Sequence, residues 1–253
     1  MQILLTNDDG FRAPGLAALT GIMRPYGNVT VVAPEEMQSG MSSAITTKIP
    51  VRLRKITSGK GLEIYACSGT PVDCVKLAIN HILPQKPDLL VSGINHGANA
   101  SSAVIYSGTL GAAMEGALYG IPSIGFSLAN DAADADFDTC KIYGTKIIDR
   151  ILAHPFAPHV FLNVNFPALP ATEIKGVRLT RQHKGSWTKE FEKHTDPHGR
   201  SYYWLTGDFV NHEPDACDAD ENTLHAGYIS IVPHHLDMTD YNELRRLQKE
   251  WQW

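Results

Sequence analysis

The sequence predicts an α/β fold in which a mostly parallel sheet is flanked by helices. Short apolar runs alternate with segments of helical period from residue 3 onwards, which is the pattern of repeated strand–helix–strand units. The 253 residues are 43 % hydrophobic and 19 % charged, a composition typical of chains that fold around a globular core. Because no internal repeat or low-complexity linker interrupts the pattern, we expect residues 1–253 to form a single domain.

The predicted strands are short apolar runs, and the predicted helices between them begin at recognisable start signals. Pro14 opens the first helix, Thr70 and Pro71 open the second as N-cap and first residue, and Ser107 caps the third. A fourth helix covers residues 137–152, with its apolar stripe at Ile147, Ile148, Ile151 and Leu152 facing inward. The strands are predicted at residues 3–5, 29–33, 89–91, 122–126 and 160–164.

The composition changes after residue 181. Residues 182–225 are rich in His, Asp, Glu and Gly, residues 224–232 alternate like a strand, and residues 241–251 form a charged helix pattern with one apolar side. This segment has too few apolar residues for a core of its own, yet several large ones need burial. We therefore predict an α/β core over residues 1–181 and, over residues 182–253, a C-terminal arm that joins at least two copies of the chain. The large apolar residues of the arm are Tyr202, Tyr203, Trp204, Leu244, Leu247 and Trp251.

Charge and cysteine content exclude several classes of protein. With 22 Lys and Arg against 27 Asp and Glu, the net charge of −5 offers no surplus of cations for binding a nucleic-acid duplex. The four cysteines form no C-x-x-C pair and are too few for a disulfide framework in a chain of this length. The apolar run at residues 3–5 is too short for a signal peptide, and no stretch is long enough to span a bilayer. We expect a cytoplasmic protein that does not bind membranes.

Polar residues follow three of the predicted strands, at the edge where open parallel sheets bind their ligands. The first strand is followed by Asp8, Asp9 and Gly10, the second by a loop that contains Ser39, and the third by residues that include Asn95. Three successive strand ends therefore present carboxylate, hydroxyl and amide groups to one crevice.

Asp8 and Asp9 predict a metal site in this crevice. Gly10 lets the chain turn at once, so that both carboxylates reach one centre, and a cation there removes the repulsion between them. Oxygen donors without Cys or His select a hard ion such as Mg²⁺, Mn²⁺ or Ca²⁺ over zinc. The competing interpretation is a simple Asp-Gly turn, which the arrival of Ser39 and Asn95 at the same edge makes less favoured.

The start of the third helix predicts an anion site. Ser107, Gly108 and Thr109 supply two hydroxyls, backbone N–H groups and the positive end of the helix dipole. Ser107 alone would indicate only an N-cap, but beside a hard-metal site the group indicates phosphate.

Other familiar chemistries are excluded by spacing. The sequence contains no G-x-G-x-x-G or Walker loop, no G-x-S-x-G elbow and no H-E-x-x-H motif. The acidic run from Asp131 to Asp138 lacks the pattern of an EF-hand and is predicted to be a solvated loop.

Several sequence blocks resemble the SurE survival-protein nucleotidases, a family of metal-dependent phosphatases that act on nucleoside monophosphates. The blocks occur in order over the first two thirds of the chain, and one more lies in the tail. They are Ile3-Leu-Leu-Thr-Asn-Asp-Asp-Gly10, Ala33-Pro34 with Ser39-Gly40, Gly69-Thr-Pro-Val-Asp-Cys74, Ser92-Gly-Ile-Asn-His-Gly-Ala-Asn99, Ile105-Tyr-Ser-Gly-Thr109 with Glu115-Gly116, Leu162-Asn-Val-Asn165 and Gly227-Tyr-Ile-Ser-Ile231.

The resemblance implies a ligand set and an assembly. It implies that one divalent cation per subunit, Mg²⁺ or Mn²⁺, is held by Asp8, Asp9, Ser39 and Asn95. It also implies a Rossmann-like core whose C-terminal arm is exchanged between subunits, giving a dimer or a dimer of dimers. The activity it implies is that of a 5′-nucleotidase, with hydrolysis of 3′-monophosphates and short polyphosphate as open extensions.

The chemistry expected from these residues is attack on a phosphate monoester by a metal-activated water. Asp8 or Asp9 would orient or deprotonate that water, and the phosphate oxygens would be held by Asn99, Ser107, Gly108 and Thr109. Two alternatives remain at this stage, a metal-dependent nucleotide-sugar transferase and a non-catalytic nucleotide or phosphate sensor. Turnover of an aryl phosphate with and without chelator separates the three.

Overall fold

The computed structural model describes residues 1–251, and thirteen strands lie within that range. They are β1 (Gln2–Thr6), β2 (Asn28–Pro34), β3 (Leu53–Gly59), β4 (Leu62–Cys67), β5 (Leu89–His96), β6 (Ser123–Leu128), β7 (Val160–Phe166), β8 (Val177–Leu179), β9 (Gly185–Thr188), β10 (Phe191–Thr195), β11 (Ser201–Leu205), β12 (Asp208–Asn211) and β13 (Ile229–His235). Gln252 and Trp253, the last two residues of the predicted arm, lie outside the described residues.

Six α-helices lie in the same described range. They are α1 (Pro14–Met23), α2 (Pro71–Leu77), α3 (Gly108–Leu118), α4 (Asp138–Ala153), α5 (Asp220–His225) and α6 (Tyr241–Glu250). A π-helical turn, Ala78–Ile82, extends α2, and a 3₁₀ turn, Ser101–Ile105, precedes α3.

A nine-stranded sheet forms the centre of the described chain, in the order β3-β4-β2-β1-β5-β6-β7-β13-β8. The six strands from β4 to β7 in this order run parallel. β3 is antiparallel to β4, and β13 is antiparallel to β7 and parallel to β8. This mostly parallel sheet with helices on both faces confirms the predicted α/β fold.

The side chains of β1 point alternately to the two faces of the sheet, so this short strand packs against helices on both faces. Ile3 and Leu5 are fully buried in the cluster formed with α1 and α4, whereas Leu4 is buried in the cluster formed with α2. Successive side chains of a strand point to opposite faces of the sheet. β1 therefore reads as an uninterrupted apolar run because both of its faces are covered.

The chain order places a ligand-binding crevice beside β1. From β1 the chain builds β2 and β4 on one side of the sheet, and then crosses to build β5, β6 and β7 on the other. The switch point between β1 and β5 opens a crevice outside their carboxyl ends. The residues that follow β1 and end β5 are those of the predicted site.

Three features of the core differ from the prediction. β5 does not end at Val91 but continues to His96 through an irregularity after Ser92. Gly93 permits this, because its φ is +129° and an added Cβ would lie 2.3 Å from the Phe126 carbonyl oxygen. β3 and β4 are absent from the prediction, since the exposed edge strand β3 has a polar pattern. Leu152, predicted to face inward from α4, is 39 % exposed.

The C-terminal segment is also more regular than predicted. Residues 185–211 form two small antiparallel pairs, β9 with β12 and β10 with β11. The strand predicted over residues 224–232 is displaced, because Leu224 lies in α5 and β13 begins at Ile229. β13 lies in the central sheet, so the sheet draws on residues beyond 181. The predicted division into core and arm otherwise stays a prediction.

Three further findings concern the sequence predictions on membrane spans, cysteines and the acidic loop. No helix within residues 1–251 is long and apolar enough to cross a membrane. Cys67, Cys74, Cys140 and Cys217 are all free thiols. The acidic side chains between positions 131 and 138 are exposed, which confirms the predicted solvated loop.

Candidate metal and phosphate site

Asp8 and Asp9 follow β1 directly at the switch point of the sheet. Asp8 is 3 % exposed, and its Oδ1 accepts a hydrogen bond from the Thr109 hydroxyl of α3. Asp9 is half-buried, and its Oδ2 accepts a hydrogen bond of 3.3 Å from the His96 backbone N–H at the end of β5. The two adjacent carboxylates are therefore held by the two elements that carry most of the other predicted site residues.

The close approach of Asp8 to α3 depends on Gly108. A Cβ built at this position would lie 2.9 Å from both Cβ and Oδ2 of Asp8, closer than real side chains come. Gly108 is the first residue of α3, where backbone N–H groups have no intrahelical acceptor and the helix dipole favours negative charge. The glycine thus lets a carboxylate lie against a helix N-terminus.

The surroundings of the two carboxylates disfavour their ionised forms. Burial raises the pKa of Asp8 to about 6, a rise that the hydrogen bond from Thr109 opposes and the neighbouring Asp9 charge increases. Burial also raises the pKa of Asp9, against the hydrogen bond from the His96 backbone. A cation bound between the carboxylates would remove this penalty.

Ser39 and Asn95 reach the same edge of the sheet from β2 and β5. The Gln38 backbone N–H donates to the Asp8 carbonyl oxygen at 2.7 Å, which places Ser39 next to the residue that contacts Asp8. The Asn95 Nδ2 donates to the carbonyl oxygens of His96 at 3.1 Å and Gly97 at 2.8 Å, so its Oδ1 is the atom left to bind a cation. Coordination of one ion by all four side chains stays a prediction.

The donor set fits a hard divalent cation. It consists of two carboxylates, one hydroxyl and one amide oxygen, and such ligands suit Mg²⁺ or Mn²⁺. Within residues 1–251, no group of three or more His, Cys, Asp and Glu side chains is arranged to hold a metal ion. A zinc site built from such residues is therefore not found in the described chain.

The residues predicted to bind phosphate fall into two pairs. Ser107 caps α3, with its Oγ accepting from the Leu110 N–H at 3.1 Å, so its hydroxyl proton and the Gly108 N–H are available to an anion. The Thr109 hydroxyl already donates to Asp8, and the Asn99 Nδ2 already donates to the Ser127 Oγ at 2.8 Å. Within the described residues, the donors left free are therefore the Ser107 hydroxyl, the Gly108 N–H and the second Nδ2 proton of Asn99.

Comparison with known protein families identifies the family of this chain. The family model described as "Survival protein SurE" matches residues 3–189. The chain belongs to the SurE family. The resemblance noted in the sequence is thereby confirmed, and its blocks that lie nearest the crevice are those ending in Gly10, Asn99 and Thr109.

Individual SurE relatives match almost the whole chain. The 5′-nucleotidase SurE of Flavobacterium psychrophilum is 50 % identical over 246 residues, which cover 97 % of this chain and 95 % of the relative. The 5′-nucleotidase SurE of Phocaeicola vulgatus is 45 % identical over 249 residues, covering 98 % and 96 %. The crystal structure of the SurE protein from Aquifex aeolicus matches with a TM-score of 0.85 at 36 % identity and covers 99 % of both chains.

Sequence reasoning missed the residues that hold Asn99 at the edge of this SurE site. Asn165 Oδ1 accepts from the Asn99 N–H at 2.7 Å, Asn163 Nδ2 donates to the Asn99 carbonyl oxygen at 2.7 Å, and the two β7 amides are joined at 2.8 Å. All of these side chains are buried. The signal was present as Asn-x-Asn in a strand, since that spacing places both amides on one face.

Proposed function

We propose that this chain hydrolyses nucleoside 5′-monophosphates to nucleoside and phosphate as a divalent-metal-dependent 5′-nucleotidase. The observation that carries the proposal is the pair of buried carboxylates, Asp8 and Asp9, placed between the end of β5 and the N-terminus of α3. Membership of the SurE family supports it, as do relatives named 5′-nucleotidases at 45 % to 50 % identity over nearly the whole chain.

Asp8, Asp9, Ser39 and Asn95 would hold one Mg²⁺ or Mn²⁺ ion per subunit. When bound, the ion supplies Lewis acidity toward a phosphate oxygen and lowers the pKa of a coordinated water. Asp8 is fixed through Thr109, whereas Asp9 is less buried and makes one longer hydrogen bond. This leaves Asp9 more freedom to orient the attacking water and accept its proton.

The N-terminus of α3 would receive the phosphate group. The Ser107 hydroxyl and the Gly108 N–H donate to its oxygens, and the helix dipole stabilises the charge that develops on them. The Thr109 hydroxyl acts on phosphate indirectly, by holding Asp8. Asn99 is held by its buried amide network and would donate its second Nδ2 proton to a phosphate oxygen. Hydrolysis of 3′-monophosphates and short polyphosphate at the same site extends the proposal.

The active form would be a homo-oligomer, a dimer or a dimer of dimers, in the cytoplasm. Support for an assembly comes from the arm, where Phe191, Trp204 and Leu205 are exposed on small antiparallel pairs. Neither a nucleic-acid duplex nor a membrane is a partner in this proposal, because the net charge is −5 and no described helix could span a bilayer.

The test is a substrate panel assayed after removal of metal. The purified chain is treated with chelator, freed of it, and assayed on nucleoside 5′- and 3′-monophosphates, tripolyphosphate and an aryl phosphate, with Mg²⁺, Mn²⁺ or Zn²⁺ added. We expect an inactive but folded protein that Mg²⁺ or Mn²⁺ restores. Full turnover in chelator, or tightly held zinc by elemental analysis, would contradict the hard-metal site, and nucleotide binding without turnover with any cation would indicate a sensor.

A further inference from the structure

The segment between β2 and β3, residues 35–52, carries the candidate metal ligand Ser39 and contains no helix or strand. Two contacts hold it on either side of Ser39. The Gln38 N–H donates to the Asp8 carbonyl oxygen at 2.7 Å. Ser42 donates from its backbone to the Tyr106 carbonyl oxygen at 3.1 Å and from its hydroxyl to that of Ile105 at 2.7 Å. These contacts tie the segment to the residues that follow β1 and to the turn that precedes α3.

A third contact lies farther along the segment and uses a buried carboxylate. Asp73, on the first turn of α2, is 7 % exposed. Its Oδ1 accepts the Thr46 backbone N–H at 3.1 Å, and its Oδ2 accepts the Thr46 hydroxyl at 2.5 Å. The Thr70 hydroxyl adds a hydrogen bond of 2.7 Å to the Ala44 carbonyl oxygen. One helix start therefore holds residues 44–46 by three hydrogen bonds.

The two hydrogen bonds from Thr46 to Asp73 are not needed to cap α2. In the capping box of α2, the Thr70 Oγ1 accepts the Asp73 N–H at 3.2 Å and the Asp73 Oδ2 accepts the Thr70 N–H at 3.0 Å. That exchange satisfies the helix without Thr46. The two bonds from Thr46 thus serve the 35–52 segment and not the cap.

The link between Asp73 and Thr46 persists at neutral pH. Burial acts to raise the pKa of Asp73, but hydrogen bonds from Thr46 and Thr70 outweigh it and hold the pKa below its ordinary value. An ionised carboxylate makes stronger hydrogen bonds than a neutral acceptor. Residues 44–46 are therefore anchored to a charged group inside the protein.

We propose that Asp73 and Thr46 are positioning residues for the metal ligand Ser39. A serine hydroxyl is a neutral ligand on a segment without regular structure, and it contributes to cation binding only if the backbone is already held in place. The anchor at Thr46 and the contacts of Gln38 and Ser42 together hold that backbone. This inference rests on the proposed function, because it takes Ser39 as a ligand.

Thr46 offers a sharper test than Asp73, since its side chain takes no part in the helix cap. Thr46→Val removes the hydroxyl and keeps the branched shape, Thr46→Ser restores the hydroxyl, and Thr57→Val is the matched control on the exposed edge strand β3. Mn²⁺ is titrated calorimetrically into each metal-free full-length protein, and 5′-AMP turnover is measured as a function of Mn²⁺. We expect Thr46→Val to weaken Mn²⁺ binding up to about tenfold, the lower end of the range found for groups bonded directly to metal ligands, because Thr46 acts on Ser39 through the backbone.

Several readouts separate positioning from a loss of fold. With Thr46→Val, kcat at saturating Mn²⁺ should fall much less than the Mn²⁺ affinity, and Thr46→Ser and Thr57→Val should match the parent. When Ser39→Ala is already present, Thr46→Val should have little additional effect on Mn²⁺ affinity. Additive losses in that double variant, or Thr46→Val binding Mn²⁺ like the parent, would overturn the positioning role.

Ser39→Ala alone separates this inference from the proposed function. If Ser39→Ala weakens Mn²⁺ binding and Thr46→Val does not, the metal site stands and the positioning role is wrong. If Ser39→Ala binds Mn²⁺ like the parent, Ser39 is not a ligand and the ligand set of the proposed function is wrong as well. A parent that binds no Mn²⁺ and hydrolyses no phosphate ester would overturn both.

Discussion

The two carboxylates after β1 are neighbours in sequence but lie in different surroundings. Asp8 is packed against α3 and fixed by Thr109, whereas Asp9 is less buried and accepts a hydrogen bond from the His96 backbone N–H of β5. Ser107, at the start of the same helix, is neutral and caps it. Removing a charge from Asp9 and removing a hydroxyl from Ser107 therefore affect two different properties of the site.

Asp9→Asn and Ser107→Ala are expected to fail in different ways. Asp9→Asn removes half of the negative charge that holds the cation, so Mn²⁺ affinity and turnover should both fall, with little recovery on adding metal. Ser107→Ala should cost about 3 kcal/mol or less of transition-state stabilisation, the scale of one oxyanion donor, with unchanged Mn²⁺ affinity. Calorimetry together with steady-state kinetics measures both. Unchanged Mn²⁺ binding in Asp9→Asn would mean that Asp9 is not a ligand.

The side chain of His234, which lies away from the site, is expected to make the free energy of unfolding sensitive to acid. Its ring stacks on Phe161 with the ring centroids 5.2 Å apart, and burial lowers its pKa to about 4 from the ordinary value of 6.5. Because the unfolded chain binds this proton more readily, the contribution is present above pH 6.5 and is lost as pH falls toward 4, by about 3 kcal/mol in all. Chemical denaturation between pH 7 and 4 should show a shallower loss for His234→Gln. The exposed neighbour gives the control, since His235→Gln should keep the slope of the parent. A slope in His234→Gln as steep as that of the parent would refute the assignment.

At the scale of elements, most of the contacts that shape the site are made by the N-cap and first turn of α3. Ser107 caps the helix, Gly108 makes room for Asp8, and Thr109 binds Asp8. The same turn presents free N–H groups to an anion. The site thus depends on the distance between one helix start and one strand end.

Gly108→Ala tests that dependence. The added methyl group would lie 2.9 Å from the Cβ of Asp8, an atom next to the backbone of β1 that cannot move aside cheaply. We expect Mn²⁺ affinity and turnover to fall at least tenfold. Gly21→Ala in α1 is the control, because a Cβ there meets nothing within 4 Å and helix propensity should add about 1 kcal/mol of stability. Equal activity of the two variants would show that Asp8 does not need its position against α3.

The helices and strands that could be predicted are those whose sequence pattern follows directly from burial or from a helix cap. β1, β2, β6 and β7 read as apolar runs because both faces of the sheet are covered, and α3 carries a recognisable cap. β3 was missed because an exposed edge strand has no buried face to impose alternation. The continuation of β5 to His96 was missed because its glycine indicates a turn unless a tertiary contact holds it in the sheet. The strand-end residues of the site were predicted, whereas the bonds of Thr109 and Thr46 depend on contacts distant in sequence.

At the scale of the whole molecule, the C-terminal segment is fastened to the loop that leads into α3. Asp220 is fully buried and accepts the N–H groups of Ser101 at 3.1 Å and His183 at 2.9 Å, and Gln182 Nε2 donates to the Ser101 carbonyl oxygen at 2.9 Å. Residues 182–183 and 220 are the two ends of the segment that carries β9 to β12. Both ends of this segment are therefore attached to a buried carboxylate near the site.

The pair β10–β11 predicts self-association. Phe191, Trp204 and Leu205 are between 63 % and 70 % exposed and are close together on one pair of strands, and exposed apolar side chains that cluster in this way mark interaction surfaces. We expect at least a homodimer in sedimentation velocity at micromolar concentration. Phe191 and Leu205 are paired across the two strands and lie on one face. Burying two such side chains contributes about 3 kcal/mol, so the double variant Phe191→Ser/Leu205→Ser should weaken association about a hundredfold. Glu192→Ser, which changes a polar residue on the opposite face of the pair, is the control and should assemble like the parent. A parent that sediments as a compact monomer, or a double variant that assembles as tightly as the parent, would show that β10–β11 is not the assembly surface.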